Sequence, residues 1–175
     1  MASLRDPRTR LVLTSGTLLF VELLLIRWIP SEVRYIGFFS NFVLMASFLG
    51  IELGILLGRN RRFESIAFFP LLLVAVVWFI TTIQLNVQVR SSNEIFFGLA
   101  ESNAADANFL VLPLVFVLVA AIMASLALPL GPLLRSMPPL KAYAFDIAGS
   151  MLGIVGFVAV STSGTPPVAW FTVVT

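Results

Sequence analysis

Runs of apolar residues long enough to cross a bilayer recur along this chain of 175 residues, and nothing else in it restricts the fold as strongly. Crossing about 30 Å of hydrocarbon takes roughly 20 apolar residues in helical form. Five stretches meet that length: residues 11–29, 36–58, 66–86, 109–134 and 143–163. Each must be a helix, because an isolated strand leaves its backbone polar groups without partners in lipid. A sixth run, 167–175 within "PPVAWFTVVT", reaches only about half way across. Its prolines suit a first helical turn, so it reads as a helix cut short. The expected fold is all-α: a polytopic helical membrane bundle with five complete transmembrane helices and a truncated sixth. It forms one domain over residues 1–175, the N-terminal part of a longer protein.

Composition agrees and removes several chemistries. Only 11% of the residues are charged while 59% are apolar, and a soluble domain needs about a quarter charged residues to face water. With no cysteine and no histidine, disulfides, thiol catalysis, zinc sites and imidazole bases are excluded. No catalytic residue, metal site or cofactor is expected. The formal charge of +2 is small, and no nucleic-acid partner is expected. The first apolar run is longer than a signal-peptide core and lacks an Ala-x-Ala cleavage site.

Basic residues set the direction. Arg5, Arg8 and Arg10 precede the first span, Arg59, Arg61 and Arg62 follow the second, and Arg135 and Lys141 lie between the fourth and fifth. The opposite loops hold Arg34 and Arg90, together with Glu94, Glu101 and Asp106. Eight against two is a positive-inside bias, which puts the N-terminus in the cytoplasm, most simply at a bacterial inner membrane. In the long outer loop, "EIFFGLA" reads as a short amphipathic surface helix and "ESNAADAN" as a polar turn.

Helices in lipid associate through close contact of small residues. Gly50, Gly54 and Gly58 are four apart and form one stripe on the second span; Gly149 and Gly153 share a face on the fifth. Both stripes read as helix-packing surfaces, with a substrate passage as the alternative. Arg27 and Arg34 read as interfacial anchors that reach the headgroups, and Glu32 as a turn residue. Glu22 lies about eleven residues into its span, roughly 16 Å deep. An acidic residue there costs on the order of 2.5–3.5 kcal/mol, so it should face protein, face a water-filled cavity, or be protonated. Glu52 falls opposite its helix's glycine stripe, and Asp146 lies near a helix start, where the dipole favours a carboxylate. Glu22, Glu52 and Asp146 are the candidate intramembrane ligand-binding residues, suited to a cationic ligand or a proton relay; a structural role is open for each.

The runs "VELLLIRWIPSEVRYIGFFSNFVLMASFLGIELG" and "LLRSMPPLKAYAFDIAGSMLGIVGF" resemble the multispan N-terminal region of membrane-bound spermidine synthase-like proteins. The resemblance covers Phe20 to about Pro167. It implies a helical membrane part ahead of a cytoplasmic aminopropyltransferase-type domain, whose glycine-rich loop and catalytic aspartate do not occur here. It therefore implies a membrane anchor, with passage of an amine or lipophilic substrate as a further role. Partners would be membrane lipids, partner membrane subunits or that C-terminal domain. Two alternatives stand beside it: a non-catalytic accessory subunit of a larger membrane complex, and part of a secondary transporter, for which no internal repeat is visible.

Overall fold

The structure, a computed structural model, describes residues 6–32, 41–58, 68–86, 102–164 and 170–171. All regular structure among them is helical. The helices are α1 (Pro7–Glu32), α2 (Phe42–Leu57), α3 (Phe68–Asn86), α4 (Ser102–Ala127), α5 (Leu130–Arg135) and α6 (Pro139–Thr162).

Among the described residues, three segments are long and apolar enough to cross a membrane: Pro7–Ser31, Leu112–Arg135 and Pro139–Thr162. The sequence reading expects five. The difference lies in α2, whose 16 residues extend only about 24 Å, and in α3, whose qualifying apolar core is Leu71–Thr82. The remainder of those two expected spans, residues 36–40 and 66–67, lies outside the described residues, as do Arg34, the "EIFFGLA" stretch and the basic loop after α2.

Helix ends move for local reasons. α1 begins four residues earlier than apolarity suggests, because Asp6 accepts the Arg8 N–H on its side chain (3.1 Å) and Pro7 occupies the first turn, where no amide is needed. α1 also runs through Pro30 to Glu32, which is its last residue and not part of a turn. α6 likewise starts at Pro139, after Pro138 in extended conformation (ψ 139°). The polar segment after Glu101 is helical from Ser102, so α4 begins seven residues before the expected fourth span and ends at Ala127, seven residues before that span's end. That span is also not continuous: Pro129 ends α4 and initiates the short α5.

α1 is the hub, touching each of the other five helices. Leu11, Ser15, Leu18, Glu22, Leu25 and Ile29 form one buried stripe along it, and Val21, Leu24 and Trp28 are buried beside that stripe. α4 is the second centre, burying Val115, Val119, Ile122, Met123 and Leu126. α3 lies against α4 through Phe69, Leu73, Val76 and Ile80, a single face at helical spacing.

Two glycine seams join the remaining helices. Along α2, a methyl built at Gly50 or Gly54 would strike the Ala120 or Ala124 carbonyl oxygen. It would also lie 2.8 Å from Met123 Cβ or 2.7 Å from Ala127 Cβ, respectively. Gly58 meets the Leu128 carbonyl in the same way. Along α6, Gly149 abuts Val12 and Gly153 abuts Gly16 of α1. In both seams residue numbers rise together on the two helices, so α2 runs parallel to α4 and α1 parallel to α6.

Candidate functional site

The buried polar residues are Ser15 and Glu22 on α1, Ser47 on α2 and Ser125 on α4. The last two donate to carbonyls of their own helices, Val43 and Ile122, and those on α1 do not. At one level the Ser15 hydroxyl donates to Asp146 Oδ1 on α6. Ser15 is buried and Asp146 half-buried, so this bond ties the two helices together beside the Val12–Gly149 contact. The hydroxyl satisfies one carboxylate oxygen at the point where the chain leaves its polar end for the apolar seam.

Two turns further along α1, Glu22 is only 4% exposed. It faces the interior between Leu18 and Leu25, and no hydrogen-bond or ionic partner meets its carboxyl among the described residues. No fully sealed side-chain oxygen lacks a hydrogen-bond partner among the described residues, so the Glu22 carboxyl keeps a narrow outlet from the packing. A carboxyl in so apolar a place is still costly, and Glu22 is the one ionisable residue among the buried ones described.

Near the far end of α1, Arg27 is exposed. Its guanidinium donates through Nη1 to Ser161 Oγ and lies 5.5 Å from the centre of the Trp170 ring, within cation–π range. Trp170 packs edge-on to Phe157 at 5.8 Å, Phe157 on Phe20 at 5.6 Å, and Phe171 on Trp28 at 5.0 Å. Arg27 and these rings hold the segment 170–171 beside α1 and α6. T-shaped pairs of this kind add about 0.5–1.5 kcal/mol each beyond area burial.

Glu52 lies apart from this group. It is exposed on the outward side of α2, so Glu22, Glu52 and Asp146 do not converge. The structure brings Asp146 to Ser15, leaves Glu22 inside and alone among the described groups, and turns Glu52 away from the bundle. Among the described residues no three metal-ligating side chains come together. An open groove of about 270 Å³ runs along the α1–α6 seam, lined by Val12, Leu13, Gly16, Thr17, Phe20, Leu152 and Gly153; Thr17 is its one polar side chain, and neither acid reaches it.

Two participants escape the sequence reading. Gly16 is a single glycine with no stripe around it, yet its carbonyl receives Gly153. Ser15 acquires meaning only when α6 is placed against it, 131 residues away in sequence. The adjacent "TSGT" (residues 14–17), small and polar inside an apolar run, is the signal that marks both.

Comparison with family models, with curated proteins and with solved structures gives no match. Fold and site therefore define a class only: an all-helical bundle whose long apolar helices are compatible with a membrane.

Proposed function

We propose that the chain is the membrane-embedded module of a spermidine synthase-like protein, anchored in a bacterial inner membrane by five crossings with the N-terminus in the cytoplasm. Its interior receives a cationic amine at Glu22. The observation that carries the ligand reading is Glu22, a residue only 4% exposed whose carboxyl has no counter-charge among the described residues. Ionisable groups placed this way within membrane spans mark substrate, ion or proton pathways.

Five crossings, although among the described residues only three segments have the full length, are supported by the parallel seams. α5 and α6 are joined by a tight turn at residues 136–138, so α4 ends on the side where α6 begins. Because α6 runs with α1, α4 starts on the side where α1 ends. α2 follows α4 in direction and register from Gly50–Ala120 to Gly58–Leu128, so it traverses the same layer, and α3 must then bring the chain back. The basic loops fall on one side under this threading.

A non-catalytic accessory subunit is the second reading. It is favoured by the outer face of α6, where Leu140, Tyr143, Met151, Leu152 and Val155 are each at least 60% exposed and available to partner helices or lipid.

Thermal unfolding of the purified chain in lipid nanodiscs with spermidine tests the first reading. A ligand held at about 100 times its Kd stabilises by roughly 2.7 kcal/mol. Spermidine is expected to raise the midpoint of the wild type and leave Glu22→Gln unmoved. No shift in the wild type, or an equal shift in both, rejects Glu22 as the amine site.

A further inference from the structure

We propose that the outward face of α2, centred on Glu52, seats a transmembrane helix of a partner protein that presents a lysine or arginine at the depth of Glu52. Met45, Phe48, Leu49 and Leu56 surround Glu52 on that face, and 45–65% of each side chain is exposed. Glu52 is itself exposed and lies on the side of the helix away from Gly50 and Gly54, which are buried against α4. It is ten residues from the start of α2 and five from its end, so neither terminus brings it to water. From Gly58 it is about 9 Å along the axis, and a glutamate side chain is too short to span that distance as lysine or arginine does.

Acyl chains offer a carboxylate nothing, whereas a helix bearing a cation offers a charge-assisted hydrogen bond in a low-dielectric layer. The leucines, methionine and phenylalanine around it supply the apolar contact area such a helix needs. A second copy of this chain, docked about a two-fold axis on the same face, would set Glu52 against Glu52 and is disfavoured by like charge. The recognised feature is therefore complementary charge within an apolar helix.

The proposal rests on α2 lying in the bilayer. Resistance to alkaline carbonate extraction shows that the chain as a whole is membrane-integrated, and labelling of Arg61→Cys with a membrane-impermeant maleimide reports separately on α2. The test places the full chain, labelled at Ser163→Cys, in phosphatidylcholine vesicles with a synthetic leucine-rich transmembrane peptide. The peptide carries either lysine or leucine at the depth of Glu52, and association is followed by resonance energy transfer. The lysine peptide is expected to associate about tenfold more tightly than the leucine peptide, and Glu52→Gln, still carbonate-resistant, is expected to abolish the difference. Equal association of the two peptides, or a preference that survives Glu52→Gln, overturns the proposal. So does a preference that emerges only in Arg59→Ala, which assigns the counter-charge to this chain's own loop. Self-association lost in Glu52→Gln assigns the face to a second copy and overturns it too.

Discussion

Gly54→Val is expected to separate α2 from α4. Even the first added carbon would strike the Ala124 carbonyl oxygen and lie 2.7 Å from Ala127 Cβ and 3.0 Å from Ala124 Cα. Two of these obstacles are backbone atoms, which cannot swing aside as the end of a long side chain can. The remaining branches of valine enlarge the clash, and relief requires the two helices to move apart along the whole seam. Overpacking of this kind costs about 1–3 kcal/mol, occasionally more, and Gly54 belongs at the upper end. Leu56→Val, on the same helix but 65% exposed, is the matched control and should stay within about 0.5 kcal/mol of the wild type. Reversible unfolding in mixed micelles compares them. Equal stability of the two variants would mean that α2 and α4 are not in close contact. Gly153→Val makes the same demand on α1, where the obstacle is the Gly16 backbone.

The second large effect has the opposite sign. Glu22→Leu should stabilise the bundle, by about 1–3 kcal/mol on the scale for burying a polar group without a partner. Leucine replaces the carboxyl with groups that match Leu18 and Leu25 beside it, and it removes the cost of desolvating an acid. Replacing buried ionic groups with packed apolar ones is neutral or stabilising in other proteins. A residue that lowers stability yet occupies the centre of the hub helix fits a functional site, where activity is held at the expense of stability. The same micelle unfolding decides the sign. A loss of 2 kcal/mol or more, on the order of breaking a buried pair, would show that Glu22 is already held by a group in the chain and is not free for a ligand.

Helix identity was legible because lipid leaves few choices: a long apolar run must be helical. Helix ends were less so. Apolarity marks where the hydrocarbon begins, whereas α1 and α6 begin where Asp6–Pro7 and Pro138–Pro139 can start a helix in the polar layer. The reverse holds at Ser102: polar residues suggest a turn, yet none of them breaks a helix, and α4 starts there. The glycine stripes were visible, but their counterparts were not: Ala120, Ala124 and Leu128 are ordinary residues until α2 is laid along α4. Glu52 shows the same limit. Its position opposite the glycine stripe follows from periodicity, but its exposure depends on which helices cover α2, and that information is non-local. Insertion cost alone points Glu22 inward, and Glu22 lies in the buried stripe of α1. The Ser15–Asp146 bond depends on a register between distant helices that periodicity does not encode.

Parallel pairing of α2 with α4 requires that the loop after α2 lie across the membrane from the loop before α4. Single cysteines are informative in this chain because it contains none of its own. The direct measurement is labelling of Arg61→Cys with a membrane-impermeant maleimide in intact cells, beside Ser136→Cys and Ser102→Cys as references for the two sides. Five crossings predict that Arg61→Cys behaves like Ser136→Cys, protected until the membrane is opened, while Ser102→Cys is labelled from outside. Labelling of Arg61→Cys together with Ser102→Cys would contradict this, leaving three crossings and α2 outside the bilayer.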